Sequence, residues 1–391
     1  MKRTKVGVIG CGNISDLYFI NLTQRYGSEV EVVSCADIVA EKAQASAAKY
    51  GIRAVTVDEM LADPEIEIIV NITIPVAHTE LNRRAIAAGK HVYCEKPLAI
   101  TFEEAKETIR LAEEKGVFVA SAPDTFMGAG IQTCRHLIDN GWIGDLVCGT
   151  ANMCCPGHEI WHPSPVFYYK TGGGPMMDMG PYYMTALVSM LGPIKQISGF
   201  CSKNRPVHMI TSMPLRGTKI DVEVPTNYMG IIEFASGICV NMIMSFEIWN
   251  SQMPTIEIHG TTGSMYCSDP DNFSGPVYLT RSNAVIDQMA DMDTSDLGVK
   301  GDPFDKTGLV RKMPLLFNDP MKKTRGLGVV DLAHAVRDGR KPRISHDLIL
   351  HVMEALCAFE KSSDSRSLYK MTTTCERPAP LPVELGLNQI D

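Results

Sequence analysis

The chain has 391 residues, 45% of them hydrophobic and 21% charged, with a formal net charge of -8. At ~100–200 residues per domain this predicts two or three folded domains, and the composition is that of an ordered chain. The acidic balance speaks against nucleic acid or an anionic membrane as the main partner, since both are held through Lys/Arg patches, and no apolar stretch reaches the ~20 residues of a membrane helix.

Along the first 120 residues strand and helix signals alternate. Lys5–Ile9 is a largely apolar run, predicted as a strand buried on both faces. A helix follows over about Asn13–Arg25, then strand Val30–Ala36, helix Ala40–Tyr50 and a short strand near Ala54. Thr56-Val57-Asp58-Glu59 and Thr101-Phe102-Glu103-Glu104 fit the S/T-x-x-E capping box, each starting a helix. Between them lie strand Ile66–Ile72, helix Ala77–Ala88 and strand His91–Cys94, and Val117–Ser121 closes the series. This alternation predicts a doubly wound parallel sheet, a Rossmann-type domain over residues 1–123. After Ala122-Pro123 the pattern changes. One helix, about Gly130–Asn140, precedes strand-like stretches at Leu146–Asn152, Ile194–Ser202, Asn227–Phe234, Ile238–Ile248, Thr255–His259, Ser264–Cys267 and Val277–Leu279. Strands without crossover helices favour an open, mostly antiparallel sheet, so residues 124–391 read as an α+β domain. Residues 284–310 read as a long surface loop, and helices near Gly326–Arg337 and His346–Lys361 close the chain. Met1-Lys2-Arg3-Thr4-Lys5 leads straight into the first strand with no signal peptide apparent. The twelve cysteines contain no CxxC pair and read as small core residues, which predicts a reducing compartment, most simply the cytoplasm. Cys154, Cys155 and His158 lack the spacing of a tetrahedral centre, so no metal is expected.

Gly10-Cys11-Gly12-Asn13-Ile14-Ser15 stands at the end of the first strand and opens a helix. The first glycine suits a tight turn, the second a close approach of pyrophosphate, and the helix start offers free amides at Asn13 and Ile14. Asp37 ends the second strand roughly 20 residues on, where an acid accepts bonds from the adenosine ribose and repels a 2′-phosphate, favouring NAD over NADP. Asn71-Ile72-Thr73-Ile74-Pro75-Val76-Ala77-His78 and Cys94-Glu95-Lys96-Pro97 fall at carboxyl ends of later strands, on the ligand edge of such a sheet. Asn71, Thr73, Pro75, His78, Glu95 and Lys96 are therefore candidate cofactor contacts. The plainer reading has the prolines stopping strands, Lys96 solvated and His78 capping a helix. In the second domain, Gly172-Gly173-Gly174-Pro175-Met176-Met177-Asp178-Met179-Gly180-Pro181-Tyr182 lets backbone lie against a ligand. If Met176 onward is helical, Asp178 and Tyr182 share one face. An interior Pro181 costs a hydrogen bond, which argues for a later helix start.

Together the fingerprint, Glu95-Lys96-Pro97 and the GGGxxxDxG run resemble the Gfo/Idh/MocA oxidoreductase family, the glucose–fructose oxidoreductase and inositol dehydrogenase type, over nearly the whole chain. The resemblance implies an NAD(P) domain, a second domain with an open sheet, and homo-oligomers built through that sheet. It also implies hydride transfer at a ring hydroxyl of a sugar, glycoside or cyclitol. Lys96 matches the family's catalytic lysine and Asp178 its motif aspartate; Tyr182 stands where many members have His. Lys96 would stabilise the developing alkoxide, Tyr182 would serve as base if a neighbouring cation lowers its pKa from ~10, and Asp178 would orient either. The aromatic and His/Lys-rich run before the glycines, with Trp161, His162 and Lys170, suits contact with a sugar ring. Asp124, at the interdomain junction, is a further candidate substrate contact, and oxidation at C3 of a glucoside is the finer expectation. A dinucleotide-binding sensor of the same fold is the competing reading, and loss of the lysine or acid/base group would favour it.

Overall fold

The computed structural model describes residues 3–290, 309–317 and 324–383. Six strands form the first sheet: β1 (Thr4–Ile9), β2 (Val30–Ala36), β3 (Arg53–Ala54), β4 (Ile68–Asn71), β5 (His91–Cys94) and β6 (Val119–Ser121). Their order is β3-β2-β1-β4-β5-β6, and every neighbouring pair is parallel. Ile9 lies in register between Ala36 and Asn71. The carboxyl ends of β2, β1 and β4 therefore share one edge, and the turns carrying Asp37, Gly10 and Thr73 open side by side.

Helices α1 (Ser15–Ile20), α2 (Ala40–Tyr50), α3 (Val57–Ala62), α4 (Pro75–Ala87) and α5 (Phe102–Lys115) connect these strands. Both capping boxes form, Thr56 with Glu59 and Thr101 with Glu104. Helix α1 is shorter than the sequence suggests, because Asn13 stays in the glycine turn and Asn21–Arg25 widens into a π turn. Conversely, α4 starts early: Pro75 takes its first position, where a missing N–H is harmless.

Beyond helix α6 (Ala129–Asp139) lies a nine-stranded sheet. Its members are β7 (Leu146–Cys154), β8 (Ile194–Ser202), β11 (Asn227–Phe234), β12 (Cys239–Ser245), β13 (Ile256–Gly260), β14 (Gly263–Tyr266), β15 (Tyr278–Arg281), β16 (Arg311–Lys312) and β17 (Tyr369–Lys370). A two-stranded ribbon, β9 (Val207–Met209) with β10 (Lys219–Asp221), stands apart and was not predicted. The sheet is mixed rather than wholly antiparallel: β12 pairs with β7 in parallel, through the long chain excursion between them. Residues 284–290, expected in a loop, belong to helix α8 (Ser282–Ala290), while 291–308 lie outside the described residues. This short helix sits in a stretch whose polar remainder hides its period.

Helix α7 (Gly174–Leu191) starts earlier than predicted, with Pro175 in its first turn and Pro181 inside it. Almost everything from Gly180 onward is buried, so tertiary packing outweighs the one lost hydrogen bond. A Cβ on Gly180 would lie 2.7 Å from Leu356 of α10 (His346–Ser365), which fixes how closely these helices approach. Helix α9 (Leu327–Asp338) returns to the first sheet: a Cβ on Gly328 would lie 2.6 Å from Tyr93 of β5. The boundary at 123 thus separates the sheets but not the helices.

Asp124 is the joint of this return. Fully buried, it accepts hydrogen bonds at 3.0 Å from the amides of Gly326 and Gly328 at the start of α9. Both amides bond to Oδ2, so this candidate substrate contact also anchors the start of α9. Burial raises its carboxyl above the ordinary range, with the Gly328 amide and Arg325 pulling the other way. Asp124→Ala strands two buried amides and is expected to lower stability by about 1–3 kcal/mol, read as a fall in Tm.

Candidate active site

Gly10 follows β1 with φ +109°, and a Cβ there would lie 2.8 Å from the carbonyl oxygen of Ile72. Only glycine fits this crossing between β1 and β4. Gly12 differs: a Cβ on it would meet nothing within 4 Å, so its face opens onto free space at the mouth of α1. Asp37 braces the turn. Its Oδ2 accepts the Cys11 amide at 2.7 Å and its Oδ1 the Val39 amide at 2.8 Å. Each oxygen keeps a lone pair for a further donor. Ile38, Ile74 and Val76 stand exposed on either side, at the ends of β2 and β4. An open cradle over a glycine, amides at a helix start, an acid beside it and flanking apolar side chains fit a dinucleotide.

Three of the other expected cofactor contacts turn out to be buried supports. Asn71 donates to Asn82 Oδ1 at 2.8 Å and accepts from Thr73 Oγ1 at 2.7 Å. His78 is fully buried, with Nδ1 2.8 Å from the Pro97 carbonyl and Nε2 3.0 Å from that of Thr73. It ties the two loops together. Glu95 accepts from Tyr18 Oη at 2.7 Å and from the Lys96 amide at 3.0 Å. Carboxylate, imidazole and amide here shape the turns that bear Thr73 and Lys96.

The turn after β5 aims Lys96 across the cleft at α7. Its Nζ donates to Asp178 Oδ1 at 2.8 Å and to the Asp178 carbonyl at 2.6 Å, and it lies 5.1 Å from the Tyr182 ring centroid. The expected sharing of one helix face by Asp178 and Tyr182 is what lets one ammonium meet both. Burial alone would depress the Lys96 ammonium, but Asp178, Tyr182 and Glu95 hold it above its ordinary value. Tyr182 moves against expectation. Burial pushes its phenol up to about 12, over the opposing pull of Lys96 and Arg325. It is therefore protonated at neutral pH.

Two site groups escaped the sequence reading. His158 Nε2 lies 3.4 Å from Asp178 Oδ2, with its ring packed against Tyr168 at 4.1 Å and Phe246 at 4.6 Å between centroids. Burial lowers its pKa, opposed by Asp178, so it is neutral at pH 7. The sequence offers it as a neighbour of Cys154 and Cys155 and as a member of the aromatic, His-rich run before the glycines, without singling it out. Arg325 donates from Nη2 to Tyr182 Oη at 2.9 Å, and nothing in its local sequence marks it. Trp161 is 60% exposed beside His158, while His162 takes the Ser164 amide on Nδ1 and stacks edge-on to Tyr168. Lys170 instead pairs with Glu223 at 2.8 Å and makes no hydrogen bond to Lys96, Asp178 or Tyr182. All twelve cysteines are free.

A 3-2-1-4-5-6 parallel sheet, a glycine cradle on its carboxyl edge and a lysine reaching from it to an acid and a phenol define a two-domain dinucleotide-dependent oxidoreductase fold. The chain belongs to the Gfo/Idh/MocA oxidoreductase family: residues 4–122 match its NAD-binding Rossmann fold and residues 131–266 its C-terminal domain. It is similar to 1,5-anhydro-D-fructose reductase of Ensifer adhaerens, 28% identical over 66% of this chain and 74% of that protein. Inositol 2-dehydrogenase of Salmonella paratyphi B is 32% identical over 36% and 43%, and trans-1,2-dihydrobenzene-1,2-diol dehydrogenase of Mus musculus 27% over 48% and 56%. The matching stretches thus span 43% to 74% of these relatives' own lengths. Levoglucosan dehydrogenase in complex with NADH shares the fold with a TM-score of 0.77, at 18% identity over 95% of this chain and 100% of that one. So does aldose–aldose oxidoreductase from Caulobacter crescentus, at 0.74, 18%, 95% and 100%. Among the described residues no helix is long and apolar enough to cross a membrane.

The two glycines predict different variants. Gly12→Val is expected to keep the wild-type Tm and weaken NADH binding tenfold or more by filling the cradle, whereas Gly10→Ala is expected to lower Tm. Fluorescence titration with NADH and a thermal melt check both.

Proposed function

We propose that this chain is an NAD-dependent oxidoreductase that interconverts a secondary ring hydroxyl and the corresponding ketone of a sugar, glycoside or cyclitol. The observation that carries this reading is the convergence of Lys96, Asp178 and Tyr182 across the cleft. Bound nicotinamide supplies the hydride acceptor or donor. Lys96 donates to the reacting oxygen and stabilises its negative charge, held in position by Asp178. Tyr182, protonated at neutral pH, gives its proton to a carbonyl oxygen in the reducing direction. As phenolate it takes the hydroxyl proton in the oxidising one. Thr73, Asp37, Gly10, Gly12, Asn13 and Ile14 would hold the dinucleotide; Asn71, Pro75, His78 and Glu95 support their loops.

For the substrate, the aromatic wall of Trp161, Phe167 and Tyr168 beside His162 supports a ring compound stacked on one face, glycosides included. Oxidation at C3 of a glucoside is the narrower form of the proposal. A sensor without turnover is the less favoured reading, because the lysine and the phenol are both present and in contact. Phe200, Met229 and Ile231 form an exposed apolar patch on β8 and β11, with Met229 paired directly to Phe200. This patch supports a homo-oligomer built through the second sheet. Free thiols throughout suit the cytoplasm.

NADH formation with glucose, methyl and aryl β-glucosides and myo-inositol tests the substrate class; no turnover with any of them would refute it. Lys96→Ala and Tyr182→Phe are expected to lose roughly 10²–10⁴-fold in turnover while still binding NADH. His162→Ala is expected to raise KM more than it lowers kcat. Because the Tyr182 phenol is raised, the oxidising rate should climb from neutral to alkaline pH while the reducing rate stays flat; the opposite slopes would remove Tyr182 as the proton-transfer group.

A further inference from the structure

Arg325 sits far along the chain from the motifs that mark the site, at the entrance to α9, yet it is inserted behind the Tyr182 phenol. Among the described residues it is the only donor to Tyr182 Oη, at 2.9 Å, with its guanidinium carbon 5.4 Å from the ring centroid. Lys96 cannot take that place, since its ammonium is bound to the side chain and carbonyl of Asp178 and faces the ring instead. Arg325 is itself fixed from several sides. Its Nη2 also lies 3.2 Å from Asp271 Oδ1, and its Nη1 3.8 Å from Glu95 Oε1. Glu95 is held in turn by Tyr18. The Arg325 carbonyl accepts from Asn21 Nδ2 at 2.8 Å, and the next amide, of Gly326, goes to Asp124. Only 11% of the arginine side chain is exposed.

We propose that Arg325 is a positioning residue for proton transfer: it fixes the direction of the Tyr182 hydroxyl and stabilises the phenolate formed when that proton passes to the substrate oxygen. This rests on the reading of Tyr182 as the acid/base group. When a ketone is reduced, the carbonyl carbon gains hydride from the reduced nicotinamide and the carbonyl oxygen gains the phenol proton. The negative charge then resides on Tyr182 Oη, against the guanidinium. The charged and titratable groups around that phenol are Lys96 and Glu95 from the turn after β5, Arg325 from the entrance to α9 and Asp271 from the segment after β14. Asp178 on α7 and Tyr168 beside the cleft complete the set. Of these, Lys96 and Arg325 favour the phenolate, and only Arg325 touches the oxygen. A cation at this distance changes an ionisation constant by roughly ten- to a thousandfold. Lysine at 325 would keep the charge and lose the planar fork that bridges phenol and carboxylate.

The test needs no substrate. Tyrosine in the full-length protein is replaced biosynthetically by 3,5-difluorotyrosine, whose acidified phenol titrates where the protein stays folded. The fluorine resonance of residue 182 is identified by its loss in Tyr182→Phe and followed against pH. Arg325→Met is expected to raise the midpoint, a tenfold or greater fall in the ionisation constant, and Arg325→Lys to restore most of it. An unmoved midpoint in Arg325→Met with a wild-type thermal transition overturns the inference. If that variant does not fold, Arg325→Gln, which keeps a donor and loses the charge, carries the same comparison. Wild-type turnover by Tyr182→Phe on the best glucoside or cyclitol would remove the acid/base reading and this inference together. Lost turnover with an unmoved midpoint removes only the role of Arg325.

Discussion

The structure depends on an ion pair between its two halves. Lys96 leaves the parallel sheet and ends on Asp178 of α7, 82 residues later, with both side chains about five-sixths out of water. Desolvated charges are tolerated only when matched and hydrogen-bonded, so neither half can bury its member of the pair without the other. The cleft is thereby set at a width where one ammonium reaches an acid and lies over a phenol. His158 and Arg325 then extend the polar seam on either side, while Tyr168 and Phe246 seal it with apolar surface.

Burial also decides the protonation states. For Tyr182, two neighbouring cations would suggest an acidified phenol, and the sequence supports that expectation because Lys96 is recognisable in its motif. Loss of hydration is the larger effect, and the phenol stays neutral. Lys96 shows the reverse balance, since Asp178, Tyr182 and Glu95 together outweigh its burial. The difference is one of geometry: Asp178 makes two direct contacts with the ammonium, whereas Lys96 faces only the ring of Tyr182.

The parts of the site that could be read from sequence are those whose chemistry is local. The glycine turn, Asp37 and the lysine turn each need particular residues at fixed short spacings, and the i, i+4 placement of Asp178 and Tyr182 follows from helical period. The parts that could not be read depend on long-range assembly. Arg325 meets Tyr182 across 143 positions, and Asp124 meets the start of α9 across more than 200. His158 gains its meaning only from the neighbouring Asp178. The parallel pairing of β7 and β12 is equally non-local, for strand composition does not reveal which neighbour a strand will choose. Asn71, His78 and Glu95 stand on the ligand edge, where sequence position suggests the cofactor, and only the fold shows that their side chains also hold the loops together.

The return of α9 to the first sheet has a topological consequence. The polypeptide leaves the nucleotide half at Ala122–Pro123, re-enters it around Thr324–Gly326, and departs again toward α10. Three covalent spans stitch the lobes along one seam, so a single nick in any span would leave them joined.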